Sequence, residues 1–369
     1  MAATDPRSLL AAALALPGVL PAAALAQSVP EEGVASLRYL DYREWQPGAN
    51  RMTVKNPSFY VMAPFAGAWT VEGAVVYDAM SGASPLWFNT LSGASGLGVT
   101  DYRTAVDGKL TRYFDRWAIG VGGVYSHERD FISRGGSFDL RWWTEDRNTT
   151  LAFAFGGAAD AISPTDRPID NGQRHTVEFL LGITQALSPT AIVQSNLTYS
   201  YGHGYYSDPY KPLDRRPDER RLLAWLTRYN QAIPAYDATL KLSYRFLSDS
   251  FGGNSSAFAA EWVQPLPQAY TLTPGLRYYT QSAADFYYNP PYPQGFRFGQ
   301  NYTADTRLSS FGAFTVGFML AKAFADGWVV DLRFDFYRQR SSWALFSAGS
   351  PGIDTFSARW IAAGVSKAF

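Results

Sequence analysis

The segment Trp328–Gln339, WVVDLRFDFYRQ, decides the fold class because its side chains alternate between two different faces. Its apolar face consists of Trp328, Val330, Leu332, Phe334 and Phe336. Alternation with a period of two is the mark of a β-strand between two environments. The other face carries full charges at Asp331, Arg333 and Asp335, which the packed core of a soluble protein would not accept. The pattern therefore indicates a strand with one face toward an apolar phase and the other toward water.

The same alternation recurs at Asp237–Phe246, Thr176–Thr184 and Trp69–Asp78. These segments approach the roughly 9–11 residues that a tilted strand needs to cross a bilayer, whereas soluble strands usually have about five or six. Aromatic residues often begin or end the apolar faces, as expected at membrane interfaces. They include Trp69, Tyr77, Trp117, Tyr125 and Trp328. A soluble sandwich of two sheets is the alternative, but segment length, aromatic ends and mid-segment charges favour a membrane barrel.

The connections between the segments fall into a short and a long class, the asymmetry expected of an outer-membrane barrel. The short ones are Pro64–Gly67, Asp115–Arg116, Ser188–Thr190, Pro265–Gln268 and Ala325–Gly327. The long ones are Ser81–Gly98, Gly202–Arg220, Ser282–Gln300 and Ala344–Asp354. The count predicts an all-β fold, a single transmembrane antiparallel up-and-down β-barrel of about 16 strands, with roughly 14 or 18 as alternatives. We expect the barrel to span residues 35–369.

The composition excludes several classes of function. Lys and Arg number 32 and Asp and Glu number 32, so the balanced charge argues against a nucleic-acid partner and against a polybasic membrane anchor. The absence of cysteine excludes disulfides, thiolate metal sites and a thiol nucleophile. The 23 Tyr and 11 Trp are numerous, and their amphipathic rings suit a membrane interface.

Residues 1–26 have the pattern of a secretory signal peptide. Arg7 gives a positively charged start, an uncharged run covers Leu9–Ala26, and Ala24-Leu25-Ala26 fits a cleavage site. A membrane-anchoring helix is the alternative, which is disfavoured because two prolines interrupt the run. We therefore expect export from the cytoplasm, with residues 27–34 as a periplasmic N-terminal segment before the barrel.

The last predicted strand, Phe356–Phe369, ends in an aromatic residue that is in phase with Ile361 and Val365. Many outer-membrane barrels end in this way, and the barrel insertion machinery reads that strand. The sequence therefore predicts two partners, which are outer-membrane lipid around the barrel and the insertion machinery at the strand that ends in Phe369. The bacterial outer membrane is the expected location.

Several stretches of the chain resemble one known family. They are Tyr39–Tyr42, Ser81–Pro85, Gly204–Lys211, Gln281–Tyr287 and Asp305–Leu308. On these stretches the chain, over nearly its whole predicted mature length, resembles the bacterial outer-membrane family catalogued as domain of unknown function 3570. The resemblance implies a barrel of unassigned activity. Members of that family tend to be encoded near flavin-transfer and thioredoxin-like proteins, which implies a periplasmic redox partner.

Charges on the polar strand faces are the candidate lining of an enclosed, wet lumen. They are Glu72, Lys109, Arg141, Glu178, Lys241, Arg245, Arg277, Asp331, Arg333 and Asp335. Because the signs are mixed, we expect a lumen partly filled by salt bridges instead of a wide pore of one sign. The mixed-charge run Asp214–Arg221 is a further candidate, either as a constriction that sets pore selectivity or as a solvated loop.

Aspartates gather near the predicted outer strand ends. A predicted outer-loop cluster consists of Asp78, Asp208, Asp285, Asp305 and Arg307, and further aspartates there are Asp101, Asp107, Asp214 and Asp249. Carboxylates from several loops would suit Ca²⁺, which takes roughly six to eight oxygen ligands. No single loop has the spacing of a calcium motif, so the favoured interpretation is that these residues end strands and pair with nearby arginines. Those arginines are Arg103, Arg215, Arg216 and Arg307. No cofactor or metal is predicted, and Ca²⁺ is the alternative.

The three histidines, His127, His175 and His203, are far apart and lack a metal-ligand spacing. His203 lies near Ser200 and Ser207, a pairing that a hydrolase would need, but Ser is common in this chain. We interpret the histidines as surface residues and predict that the chain is not an enzyme.

Three function hypotheses follow. The first is passage of a small solute, or its binding by the barrel, in service of an export or extracytoplasmic redox system. The second is a structural barrel that docks a periplasmic partner, and the third is a barrel enzyme that acts on lipid or peptide.

The Pro-rich aromatic stretch Phe286–Pro293 is expected to plug the mouth of the barrel or to stack on a ligand.

Overall fold

The alternating segments form the strands of one sheet that closes on itself. The computed structural model describes residues 27–82, 99–165, 169, 172–211, 213–289 and 297–369. Sixteen antiparallel strands pair in chain order, and the first strand pairs with the last. Closure leaves no strand edge, as the interior of a bilayer requires. The predicted fold class and strand number are confirmed. The predicted signal peptide and most of the predicted loop Ser81–Gly98 lie outside the described residues.

Every strand has between 11 and 17 residues, which is long enough to cross a bilayer at a tilt. The strands are β1 (Val34–Gln46), β2 (Ala49–Phe65), β3 (Trp69–Gly82), β4 (Val99–Tyr113), β5 (Trp117–His127), β6 (Phe131–Trp143), β7 (Thr149–Ile162), β8 (Gln173–Ser188), β9 (Ala191–Gly204), β10 (Glu219–Ile233), β11 (Ala238–Asp249), β12 (Asn254–Leu266), β13 (Tyr270–Gln281), β14 (Phe311–Ala323), β15 (Trp328–Arg340) and β16 (Phe356–Ala368). Short 3-10 turns lie at Pro234–Tyr236, Pro267–Ala269, Thr306–Leu308, Ala325–Gly327 and Ser341–Trp343. Among the described residues, no helix is both long and apolar enough to cross a membrane.

The two ends of the barrel differ in the length of their connections. Odd-numbered strands run from one end to the other, and even-numbered strands run back. One end, which we call the terminus end, holds Val34 and Phe369 together with short turns. The opposite end, which we call the loop end, holds the long connections 205–218, 282–310 and 341–355. The asymmetry between short and long connections that the sequence predicts is therefore present.

The seam between β1 and β16 continues past the last paired strand residues. Gly33 N donates a hydrogen bond to Phe369 O at 2.8 Å, and Phe369 N donates to Gly33 O at 3.0 Å. The Phe369 ring lies so close to Gly33 that a Cβ at that position would be 2.6 Å from a ring carbon. A larger residue at position 33 would therefore displace the aromatic ring at the closing strand.

The outward face of the barrel forms a continuous apolar band. Its exposed side chains include Val71, Val75, Val121, Phe155, Leu181, Leu197, Trp225, Leu242, Leu276, Val316 and Leu332. Contact of so much apolar surface with water would cost about 25 cal/mol per Å². This face therefore requires lipid, as the outer surface of a transmembrane barrel does.

Aromatic residues paired with cations mark the terminus end of the band. The Arg112 guanidinium lies 5.2 Å from the centroid of the Trp69 ring, and Lys367 Nζ lies 5.6 Å from the centroid of Trp328. Rings of this kind, with long cationic side chains beside them, are typical of the headgroup region of a membrane. Lys367 thus occupies an outward position at the interface, where its charge can reach water.

Adjacent residues of β14 offer a matched test of which face meets lipid. Val316 points outward and is 55% exposed, whereas Thr315 borders the lumen. We expect Val316→Arg to lower the free energy of unfolding in lipid vesicles by about 2–4 kcal/mol, because a charge near the bilayer midplane is costly. Thr315→Arg, measured in the same denaturant titration, should have a much smaller effect. Equal losses for the two variants would contradict the assignment of the faces.

Candidate functional site

The predicted lumen residues all occupy inward positions of their strands. Those that border the main cavity are Glu72, Lys109, Arg141, Glu178, Arg277, Arg333 and Asp335. Lys241 and Arg245 are inward by register, opposite Glu261 and Ala257. Asp331 is also inward, is buried, and accepts a hydrogen bond from a side chain of β1. The structure thus brings these residues into one enclosed space, where most of them form two groups.

The first charged group lies on β3 to β6. Lys109 Nζ lies 2.5 Å from one oxygen of Asp139, and Arg141 Nε lies 3.7 Å from the other. Tyr60 Oη donates to Glu72 Oε2 at 3.0 Å, and Glu72 is the cross-strand partner of Lys109. Glu72 and Asp139 are therefore balanced by Lys109 and Arg141, and Asp107 adds one further carboxylate to this wall.

The second charged group lies on β1, β12 and β15, mostly across the lumen from the first. Arg38 Nη2 lies 2.8 Å from Asp331 Oδ1. Arg333 Nε lies 2.6 Å from Asp335 Oδ2, and Arg333 Nη2 lies 3.8 Å from Glu261 Oε1. This wall also carries both signs, so neither wall presents a field of one sign.

Between these walls lies a cavity of about 1570 Å³. Small inward residues leave room for it, namely Ala74, Ala105, Gly122, Gly156, Ala158 and Gly182. The cavity is larger than the roughly 300–1,000 Å³ of a typical small-ligand pocket. The cavity is therefore large enough for a small solute, and charged side chains border it.

The terminus mouth is partly covered by the segment Gln27–Gly33, which we call the strap. Gln27 Nε2 donates to Thr150 Oγ1 at 2.8 Å, at the start of β7. Val29 packs on a buried cluster at the inward base of β4 to β6, which consists of Tyr113, Ala118 and Trp143. Because Gly33 is bound at the β1–β16 seam, the strap runs inside the mouth from that seam to β7.

The loop mouth carries a lid, defined as the described residues of the connections 205–218 and 282–310. Arg215 and Tyr302 exchange two backbone hydrogen bonds of 2.8 and 2.9 Å, which join the two connections. The Tyr302 ring is buried and stacks on Tyr288 with 5.9 Å between centroids. A buried apolar cluster supports the lid and consists of Phe251, Ala284 and Phe286. The lid is therefore a packed element.

A network of ion pairs holds the lid together around Asp305, which is 2% exposed. Arg216 Nη2 and Arg307 Nε each donate to Asp305 Oδ2 at 2.9 Å, and Lys211 Nζ lies 3.6 Å from that oxygen. Arg307 Nη2 also donates to Asp208 Oδ2 at 3.2 Å. Because these residues come from both connections, the network ties one to the other.

Three members of the predicted outer-loop cluster, Asp208, Asp305 and Arg307, thus meet in this ion network, and two do not. Asp78 lies on the inward face of β3, where Arg103 Nη2 is 2.5 Å from Asp78 Oδ2. Asp285 lies beside the β11–β12 connection, with its carboxylate against Gly252, whose φ of +89° suits glycine. Strand register fixes Asp78, and the packing of Phe286 on the β11–β12 tip fixes Asp285, so neither can reach Asp305.

The charge run Asp214–Arg221 does not act as one constriction. Arg216 belongs to the lid network, whereas Arg220 Nη2 lies 2.6 Å from Asp249 Oδ2. Arg221 pairs with Glu219 at 3.1 Å, and both side chains are largely exposed. The run is therefore divided among three surroundings.

The nearby serines and histidine do not form a nucleophile–base pair. Ser200 is buried, whereas His203 is exposed. Residues 200 and 203 of β9 differ by an odd number of positions, so their side chains lie on opposite faces of the strand. Ser207 Oγ accepts a hydrogen bond from Arg216 N at 3.1 Å.

A closed antiparallel barrel with an apolar exterior and a charged interior defines a transmembrane β-barrel protein. The chain belongs to the family described as Protein of unknown function (DUF3570), whose profile matches residues 88–172 and 165–360. The resemblance found in the sequence is confirmed by this match. A search of curated proteins finds none that matches the chain.

Solved structures share the barrel fold at low sequence identity. CdiB from Acinetobacter baumannii is 11% identical with a TM-score of 0.50, over 89% of this chain and 60% of CdiB. OccK2 (OpdF) from Pseudomonas aeruginosa, in complex with glucuronate, is 11% identical with a TM-score of 0.47, over 93% of this chain and 100% of OccK2. The siderophore receptor PirA from Pseudomonas aeruginosa is 10% identical with a TM-score of 0.44, over 85% of this chain and 57% of PirA. The chain thus spans less than two thirds of CdiB and PirA, and the likeness to CdiB shows the fold alone.

Proposed function

We propose that the chain is a channel of the bacterial outer membrane for small polar solutes. The observation that carries this proposal is the cavity of about 1570 Å³ between two charge-compensated walls. Fixed charges of both signs keep a lumen hydrated and give a polar solute partners that replace its water. Sixteen strands also enclose an interior wide enough for an aqueous channel.

The exterior of the barrel supports the outer membrane as its location. Closed barrels of this size with an apolar outward band are the form that spans that membrane. β16 is followed by Phe369, whose exposed ring continues the outward face of Val365 and Lys367. Outer-membrane lipid and the barrel insertion machinery are therefore the proposed partners of the exterior and of the closing strand.

Conductance in planar lipid bilayers tests the proposal. We expect small single-channel currents with little preference between K⁺ and Cl⁻, because each wall of the lumen is nearly neutral. A barrel that inserts into the bilayer but carries no current under any applied voltage would contradict conduction.

Lys109→Gln provides a sharper test of where the current runs. The substitution removes the cation 2.5 Å from Asp139 and leaves the first wall with a net negative charge. We expect the reversal potential in a KCl gradient to shift toward cation selectivity. Lys322→Gln is the matched control, because Lys322 lies outside the lumen, 4.0 Å from the centroid of Tyr270 at the terminus end. An unchanged reversal potential for Lys109→Gln would mean that the current does not pass Lys109.

A barrel that binds a small solute is the second candidate function. The strap and the lid favour this candidate, because the strap narrows the terminus mouth and the lid narrows the loop mouth. Native mass spectrometry of the purified barrel distinguishes the two functions, since a binding barrel would retain a solute and carry no current. Retention of no solute by a barrel that conducts would exclude this candidate.

A further inference from the structure

Three buried carboxylates meet at the loop end of the barrel, where Glu128 also borders the main cavity. Asp101 lies at the start of β4, and Glu128 and Asp130 lie in the connection between β5 and β6. One oxygen from each lies within 4.8 Å of the other two. Their residues are only 1%, 4% and 8% exposed, respectively.

The hydrogen-bonding groups around these carboxylates leave part of their capacity unused. Asp101 Oδ2 is buried and makes no hydrogen bond to any residue that the structure describes. Arg103 Nε is 4.0 Å from Glu128 Oε1, and the same guanidinium lies closer to Asp78, at 2.5 Å. A buried carboxylate oxygen without a hydrogen-bond partner indicates a place where a cation can bind.

The local charge balance also indicates that a cation binds beside these carboxylates. Within the part of the chain that the structure describes, the interacting groups are Asp78, Asp101, Glu128, Asp130, Arg103 and Arg129. Four carboxylates against two guanidiniums leave two negative charges in excess. Buried charges of one sign are unfavourable unless an ion of the opposite sign pairs with them. One divalent cation would balance this excess.

We propose that Asp101, Glu128 and Asp130 bind a divalent cation, with Ca²⁺ as the fitting ion. The three ligands offer only oxygen, which selects a hard cation over a transition metal. They come from two separate segments of the chain, and carboxylates completed by water suit the variable coordination geometry of Ca²⁺ better than the strict octahedron of Mg²⁺.

The cation would also connect the β5–β6 tip to the lid. Tyr210 belongs to the lid connection 205–218, and its Oη donates to Asp130 Oδ2 at 2.7 Å. Thr165 N donates to the same Tyr210 oxygen at 3.4 Å. By fixing Asp130, bound Ca²⁺ would fix Tyr210 and with it this side of the lid.

Calorimetric titration of Ca²⁺ into the EGTA-treated, folded barrel tests the proposal. We expect one Ca²⁺ per barrel, with a dissociation constant in roughly the micromolar to millimolar range. Asp101→Asn and Glu128→Gln should each weaken binding by about tenfold or more, because each removes a charged ligand. Glu219→Gln is the matched control, since Glu219 is an exposed carboxylate at the same end that pairs with Arg221.

Tb³⁺ luminescence gives a second readout, because Tyr210 contacts Asp130 and can transfer excitation to a lanthanide bound beside it. Excess Ca²⁺ should displace the Tb³⁺ signal. Two results would overturn the proposal: no saturable Ca²⁺ binding by the wild-type barrel up to roughly 10 mM, or undiminished affinity in both carboxylate variants. The wild-type titration decides the matter even where a variant fails to fold.

Discussion

Asp305→Asn is expected to destabilise the lid by about 3–5 kcal/mol, the typical cost of removing one partner from a buried ion pair. Arg216, Arg307 and Lys211 all direct cationic nitrogens at the Asp305 carboxylate, which is almost fully buried. An amide cannot compensate three cations. Arg216 would keep its pair with Asp214, but Lys211 and Arg307 would share Asp208, so one buried cation would be left in excess. The two connections of the lid should therefore separate.

The protonation state of Asp305 gives a second reason to expect that this carboxylate stabilises the lid. Burial alone would raise the pKa of Asp305, but Arg307, Lys211 and Arg216 outweigh it and hold that pKa well below its ordinary value of 3.8. A carboxyl with a lowered pKa in the folded state stabilises that state above its ordinary pKa. This contribution is lost as the pH falls through the lowered value. The wild-type lid should thus remain closed at pH 4, and the Asn variant should lack this acid-sensitive contribution.

Hydrogen exchange of the residues 205–211 and 297–310 measures the effect directly. Exchange there should become faster in Asp305→Asn, while the strands keep their protection. Asp326→Asn is the control, because Asp326 lies in a turn at the terminus end. If the rate of hydrogen exchange in the two lid segments is the same in Asp305→Asn as in Asp326→Asn, the ion network does not hold the lid closed.

The faces of the strands could be predicted because a period of two assigns every residue of a strand to a side. Once Leu332 is assigned to lipid, Asp331 and Arg333 must point to the lumen, and the structure places them there. Arg38 and Glu261 were not identified as lumen residues, although both occupy inward phases of their strands. The alternation of each strand was sufficient to identify Arg38 and Glu261 as lumen residues.

Contacts between distant segments could not be predicted. Arg38 and Asp331 are 293 residues apart in sequence and meet only because β1 pairs with β16. Arg216 and Asp305 are 89 residues apart and meet through two irregular connections that have no period. The predicted cluster therefore included Asp78 and Asp285, because proximity to a strand end says nothing about which loop folds against which.

The path of the strap had no sequence signal either, since residues 27–34 show no alternation and their only charges are the adjacent Glu31 and Glu32. Their assignment as a periplasmic segment stays a prediction. In the structure Val34 is the first residue of β1, and Val29 lies inside the mouth. Val29 is held there by packing on the cluster of Tyr113, Ala118 and Trp143, which is distant in sequence and forms only when β4, β5 and β6 pair. Its position therefore makes the strap a part of the lumen.

Val29→Asp is expected to release the strap and to raise the single-channel conductance, by roughly severalfold if the terminus mouth limits the current. The substitution sets a carboxylate against Tyr113 and Trp143, where burial of an unpaired charge costs several kcal/mol, so the segment should leave the wall. Only hydrogen bonds such as that from Gln27 to Thr150 would oppose this release.

Glu31→Gln is the matched control, since Glu31 is exposed and belongs to the same strap. Deletion of Gln27–Glu32 should reproduce the conductance of Val29→Asp, because both variants clear the same part of the mouth. If both leave the conductance at the wild-type level while exchange at Gln27–Gly33 increases, the strap moves without limiting the current. The narrowest point must then lie at the lid, where Asp305→Asn would have the larger effect on conductance.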